Sequence, residues 1–128
     1  MKDESQAIGS YISRVPEARR ERALALHGLI LSLFPQAEVS MELRMPSYRL
    51  GRNTLGWAST RGTLAVYTNS GERIAGFRAK HPEVKGALGC LRFRDSQRLP
   101  LADLAQVVRN ALAPGRPLRA RELARGRR

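Results

Sequence analysis

The spacing of apolar residues changes once the chain passes Pro35, and this change constrains the fold class most strongly. Before Pro35, apolar residues recur every three or four positions, as on one face of an α-helix. Between residues 39 and 68 they alternate with polar residues in short runs, as in half-buried β-strands. Tight turns at Gly51-Arg52-Asn53 and Arg61-Gly62 separate these runs. Because such short connections join antiparallel neighbours, the centre of the chain is predicted to form an antiparallel sheet.

The first run has an interruption that bears on function. Val39, Met41 and Leu43 alternate with polar residues and predict one strand that continues to Arg44. Met45-Pro46 then breaks the strand, since proline cannot donate to a sheet ladder. An irregularity of this kind often shapes the rim of a cleft.

Helices are predicted on both sides of the strand region. One short helix covers residues 4–12, and a second begins at Pro16, where the missing N–H costs nothing. A third helix runs from about Glu72 to Lys80, and a strand follows from Cys90 to Arg94. The last helix has an apolar stripe that comprises Leu101, Leu104, Val108 and Leu112. This order predicts an α+β fold, with an antiparallel sheet of about five strands packed on one face by the N- and C-terminal helices.

The positive charge of the chain is concentrated towards its end. Lys and Arg number 23 against 11 Asp and Glu, which gives a formal net charge of +12 over 128 residues. Residues 114–128 hold six arginines and one glutamate, or +5, and have too few apolar residues to bury much surface. We therefore divide the chain into an α+β domain, residues 1–113, and a basic, arginine-rich C-terminal tail, residues 114–128.

Two features indicate the compartment. Cys90 is the single cysteine, so no intrachain disulfide can form, which fits a reducing environment. No stretch approaches the roughly 18 apolar residues of a membrane span, and the opening segment is too polar for a signal peptide. We expect a cytoplasmic protein with no membrane association.

Several short motifs together resemble the YdhG-like family, also called the domain of unknown function 1801. The resemblance covers roughly residues 6–113. The segments that carry it are, in order, Tyr11-Ile12, Pro16-Glu17 with Arg20, Pro35, Met45-Pro46-Ser47-Tyr48-Arg49, Gly89-Cys90-Leu91-Arg92-Phe93 and Pro100-Leu101. Many relatives have a lysine before the glycine of the second long motif, where this chain has Leu88.

The resemblance implies a fold more than a function. Family members are similar in having helices around an antiparallel sheet, and most of them are uncharacterised. One branch is described as a frataxin-like intracellular iron chaperone. An iron-delivery surface requires clustered carboxylates. Here Glu38 and Glu42 share a strand face with Arg44, which would neutralise them, so no metal ligand is assigned.

No catalytic residue is assigned either. Cys90 with His27 or His81 would make a nucleophile–base pair only if the fold brought them together. A free cysteine on a strand is more commonly a small packing residue. We expect a protein that is not an enzyme and needs no cofactor.

Aromatic and arginine side chains on the predicted strands are the candidate ligand-binding set. If they converge on one sheet face, they would bind an anionic or planar ligand, or a protein partner. Alternatively the aromatic residues face the helices as core, because sequence parity puts Tyr48 and Arg49 on opposite faces. The set comprises Tyr48, Trp57, Tyr67, Arg49, Arg92 and Cys90.

The tail provides a separate candidate site. Its arginines would give non-specific affinity for nucleic acid that falls steeply with salt. These candidates are Arg116, Arg119, Arg121, Arg125, Arg127 and Arg128. The leading hypothesis is a cytoplasmic domain that binds a small molecule or a protein. The alternatives are an iron chaperone and a non-specific nucleic-acid binder, and an exposed sheet face leaves a homodimer open.

Overall fold

The computed structural model describes residues 4–68 and 70–113. Helices precede and follow a sheet, as the apolar spacing predicts. In chain order the elements are α1 (Ser5–Ser13), α2 (Glu17–Leu33), β1 (Glu38–Ser40), β2 (Ser47–Leu50), β3 (Asn53–Thr60), β4 (Thr63–Tyr67), a 3₁₀ turn (Gly71–Ile74), α3 (Ala75–Lys80), β5 (Cys90–Arg94) and α4 (Leu101–Leu112).

The five strands lie side by side in the order in which they occur along the chain. Every neighbouring pair is antiparallel, and the register places Tyr48 opposite Leu55, Trp57 opposite Val66 and Val66 opposite Leu91. The 3₁₀ turn and α3 lie within the connection from β4 to β5. The predicted α+β class and five-stranded antiparallel sheet are therefore confirmed.

The two faces of the sheet have different chemistry. The helix-covered face packs against buried residues of the helices, among them Leu26, Ile30 and Leu104. Its buried side chains are Val39, Tyr48, Leu55, Trp57, Leu64, Val66, Leu91 and Phe93. We call the opposite side the open face. Alternation along the strands assigns to it Ser47, Arg49, Thr54, Gly56, Tyr67, Cys90 and Arg92.

The predicted strand through Arg44 was wrong, because β1 ends at Ser40. Ser40 pairs with Ser47, so the six residues between them form the connection to β2. The chain turns there, with the Arg44 N–H donating to the Met41 carbonyl and Arg44 in the left-handed region at φ 63°. Leu43 fits the alternating apolar pattern but is 70% exposed, so it is not a buried strand residue.

Two helix predictions need smaller corrections. The predicted helix 72–80 begins as the 3₁₀ turn, where the Ser70 hydroxyl accepts the Glu72 N–H, and becomes α-helical only from Ala75. In α4, Leu101 is 38% exposed and leaves the predicted stripe. The buried side of α4 consists of Leu104, Val107, Val108, Ala111 and Leu112.

A buried arginine joins α2 to the far end of the sheet. Arg19 is only 7% exposed, and it donates from Nε and Nη2 to the two carboxylate oxygens of Asp95, at 2.9 and 3.1 Å. Its Nη1 donates to the Ser59 hydroxyl at 2.7 Å and to the Thr60 carbonyl at 3.0 Å. Arg22 adds a third bond to Asp95 at 2.9 Å. We call Arg19, Asp95 and Arg22 the ionic junction.

A second buried polar group joins α2 to β2 and β3. Trp57 Nε1 donates to the Tyr48 hydroxyl at 2.9 Å, and that hydroxyl lies 2.8 Å from His27 Nδ1. Tyr48 and Trp57 are both fully buried. Since the Tyr48 oxygen accepts from Trp57, its own proton is directed to a neutral His27. We call these three residues the neutral junction.

Candidate functional site

A cleft of about 580 Å³ lies where the segment 41–45 arches over the β1–β2–β3 end of the sheet. Met41, Leu43 and Met45 supply apolar surface on the arching segment. We call this space the acidic cleft. Its lining consists of Glu4, Ala7, Glu38, Val39, Ser40, Met41, Glu42, Leu43, Met45, Ser47, Tyr48, Arg49, Thr54, Leu55, Gly56, Tyr67 and Thr68.

Gly56 sets the depth of this cleft. A Cβ atom at that position would lie 2.9 Å from Met45 Cε and 3.3 Å from the Pro46 carbonyl oxygen. The absence of a side chain lets the Met45 side chain close down onto β3. The backbone bond from the Trp57 N–H to the Pro46 carbonyl, 3.1 Å long, holds the segment in place. The Met45-Pro46 interruption thus places Met45 in the wall of the cleft.

The cleft carries negative charge on a protein of net charge +12. Of the residues that the structure describes, three glutamates and one arginine line it, which gives a formal sum of −2. Glu38 and Arg49 form an ion pair at 3.5 Å, but both side chains are about half exposed, so the pair is weak. The Glu4 carboxylate accepts the Met41 N–H at 2.6 Å and ties α1 to the arching segment. An occupant with a positive charge would therefore be favoured.

The structure separates the six residues of the predicted ligand-binding set. Tyr67 and Arg49 lie in the acidic cleft, and Tyr48 lies beneath its surface with its side chain in the core. Trp57 faces the helices, whereas Cys90 and Arg92 belong to the open face of β5, outside the lining. A single pocket that joins Tyr48, Trp57 and Arg92 is not formed, because successive side chains of a strand point to opposite faces.

Cys90 has the environment of a packing residue. It is 4% exposed, and burial raises the pKa of its thiol despite the nearby guanidinium groups of Arg92 and Arg78. Within the described part of the chain, neither histidine is bonded to it. His27 contacts Tyr48, and His81 lies 2.7 Å from the Asp103 carboxylate and stacks on Phe77.

The described residues offer neither a metal-binding group nor a membrane-spanning helix. Across residues 4–68 and 70–113, no group of three or more His, Cys, Asp or Glu side chains is arranged to hold a metal ion. The same residues contain no helix with the length and apolar character needed to cross a bilayer. The tail arginines predicted to bind nucleic acid lie outside the described residues.

Sequence reasoning missed three contributors to the cleft. Gly56 lies within an ordinary strand pattern, although an isolated glycine in a strand often marks a close approach, and this signal could have found it. Glu4 comes from the distant start of α1, so only the folded chain brings it to the arching segment. Glu42 was considered as a metal ligand and set aside, whereas the structure places it on the cleft wall.

The fold is also that of a previously solved protein. A YdhG protein of the DUF1801 family from Bacillus subtilis, with a crystal structure at 1.75 Å resolution, matches with a TM-score of 0.69. The match covers 80% of this chain and 86% of that one, at 14% sequence identity. No protein-family model matches the chain, and neither does any curated protein. The fold implied by the motif resemblance is confirmed.

Proposed function

We propose that this chain is a non-enzymatic binding protein whose acidic cleft holds an alkylammonium group, from a small amine or from a lysine side chain of a partner protein. The observation that carries the proposal is the negative lining of an apolar-walled cleft on a strongly basic protein. A ligand that neutralises the exposed Glu42 carboxylate while covering the methionines satisfies both features.

The arrangement of the lining supports this ligand class. Glu42 lies on the arching segment, and Met41, Leu43 and Met45 supply the apolar surface beside it. Unbranched methionine side chains adapt to the shape of an alkyl chain. Tyr67 on β4 pairs directly with Gly56 on β3, so an aromatic side chain lies beside the position where Met45 closes onto the sheet.

The chemistry of Cys90 and of the histidines supports a role without catalysis. A catalytic cysteine needs a lowered pKa and a bonded base, and Cys90 has neither in the described residues. The iron-chaperone and nucleic-acid alternatives remain predictions, as do the homodimer and the cytoplasmic location. No feature of residues 4–68 and 70–113 specifically supports any of these predictions.

Calorimetric titration of the full chain with hexylammonium and with hexanoate tests the proposal. The two probes share an alkyl chain and differ in charge, so we expect heat of binding with hexylammonium only. Glu42→Gln should weaken hexylammonium binding by about fivefold to tenfold, because one carboxylate contact is lost. Glu72→Gln is the matched control, since Glu72 is exposed and lies outside the cleft.

Equal affinity for hexanoate, or equal effects of Glu42→Gln and Glu72→Gln, would show that the cleft does not select an alkylammonium group. If hexylammonium binds, a lysine peptide and its Nε-acetylated form identify the source of the group. Preference for the unmodified peptide indicates a protein partner, and preference for the free amine indicates a small molecule.

A further inference from the structure

A second cleft of about 440 Å³ lies at the opposite end of β3 from the acidic cleft. The turn between α1 and α2 forms one side, and the β3–β4 hairpin forms the other. We call it the basic cleft. Its lining consists of Tyr11, Arg14, Val15, Pro16, Arg19, Ser59, Thr60, Arg61 and Gly62.

The charge of this cleft is uniformly positive. Among the described residues, three arginines line it and no aspartate or glutamate does. Asp95 compensates Arg19 from outside the lining, and the guanidinium groups of Arg14 and Arg61 form no hydrogen bond or ion pair with any other described residue. Two uncompensated arginines therefore face one space, an arrangement that an anion would stabilise.

The base of the cleft is held rigidly. Arg19 uses four of its five N–H groups on Asp95, Ser59 and Thr60, so its position is fixed before any ligand arrives. The Ser59 hydroxyl accepts from Arg19, which leaves its own proton for a further acceptor. Tyr11 is fixed as well, because its hydroxyl accepts the Ser59 N–H at 2.9 Å.

We propose that the basic cleft binds the phosphate group of a small phosphorylated molecule. The guanidinium forks of Arg14 and Arg61 match the geometry of phosphate oxygens, and the Ser59 hydroxyl supplies one more donor. Pro16 and the Tyr11 ring provide apolar surface for the organic part of the ligand. The site is separate from the acidic cleft, and the proposal does not depend on the function proposed for that cleft.

Titration of the full chain with phenyl phosphate at constant ionic strength, followed by ¹H–¹⁵N chemical shifts, tests this site. We expect saturable binding with the largest shifts at Ser59, Arg61 and Gly62. Arg14→Gln and Arg61→Gln should each weaken the affinity about tenfold, since each removes a charge-assisted contact. Arg52→Gln, an exposed arginine in the β2–β3 turn, makes the same charge change elsewhere and should have little effect.

Each variant retains the arginine tail. Binding by the tail should therefore be similar in all variants, whereas binding by the cleft should be weakened only in Arg14→Gln and Arg61→Gln. If Arg52→Gln weakens binding as much as Arg61→Gln does, the interaction follows total charge and the site is wrong. Unchanged affinity in the Arg14→Gln, Arg61→Gln double variant would also show that the site is wrong, because the phosphate would then bind elsewhere on the chain. Thermal unfolding of each variant checks the fold, which these two exposed side chains are not expected to support.

Discussion

The acidic and basic clefts lie towards opposite ends of β3. Helix α2 makes a polar contact with the sheet region near each cleft, and the two contacts differ in kind. Near the acidic cleft, the neutral junction joins His27, Tyr48 and Trp57 without a formal charge. At the basic cleft, the ionic junction fixes Arg19 on Asp95. Helix α2 is therefore held by uncharged hydrogen bonds near the acidic cleft and by an ion pair at the basic cleft.

This difference shows that the net charge of a protein does not describe its individual sites. The formal charge of the chain is +12, yet the described residues that line the acidic cleft have a formal charge of −2. In the basic cleft, one arginine is structural and two form no ion pair with any residue that the structure describes. Chemically identical side chains thus have different roles, which their partners determine.

The largest expected effect comes from replacing the anchor of the ionic junction. Arg19→Met keeps much of the side-chain volume but removes four hydrogen bonds and leaves Asp95 with Arg22 alone. We expect the free energy of unfolding to fall by about 3 kcal/mol, less than for a fully buried pair because Asp95 is 35% exposed. Urea denaturation measures the change.

Arg14→Met is the matched control for this experiment, because Arg14 lines the same cleft without a partner in the described chain. Its effect on stability should stay within about 0.5 kcal/mol. Similar losses in the two variants would mean that Arg19 is not a structural anchor, and the comparison between the junctions would fail.

A smaller loss is expected at the neutral junction. Tyr48→Phe removes the hydroxyl that accepts from Trp57, so a fully buried indole N–H loses its partner. An unsatisfied buried donor of this kind costs about 1–3 kcal/mol. Tyr67→Phe, on the open face, should change the free energy of unfolding by less than about 0.5 kcal/mol. Equal effects in urea denaturation would show that the Tyr48 hydroxyl contributes nothing specific.

The two junctions differ in how far the sequence predicts them. Strand alternation correctly separates Tyr48 from Arg49, since burial of one face follows directly from the pattern. Arg19 lies beside the apolar stripe of α2, and nothing local distinguishes it from Arg20. Its burial depends on Asp95, 76 residues away, which only the folded chain brings near. The fold is thus largely predictable, whereas the partners that define each cleft are non-local.

The smallest expected effect is a difference in pH dependence between the junctions. Burial lowers the pKa of His27, so the unfolded chain takes up a proton more readily than the folded one. The stability that a neutral His27 contributes is complete above its ordinary pKa of about 6.5 and is lost as the pH falls through the lower folded value. Hydrogen bonding and charge from Arg19 and Arg22 lower the pKa of Asp95, so its contribution is lost only in stronger acid, below about pH 4.

Urea denaturation between pH 8 and pH 3 separates the loss of stability due to His27, just below neutral pH, from the loss due to Asp95 in stronger acid. We call the second loss the acid step. His27→Gln should flatten the decline just below neutral pH and leave the acid step, whereas Asp95→Asn should reduce the acid step alone. Asp103 adds to the acid step, because its hydrogen bond to His81 lowers its pKa as well. The Tyr48 hydroxyl does not titrate in this range, since burial raises its pKa further. A near-neutral decline that survives in His27→Gln would show that His27 does not cause it, and the neutral junction would then be insensitive to pH.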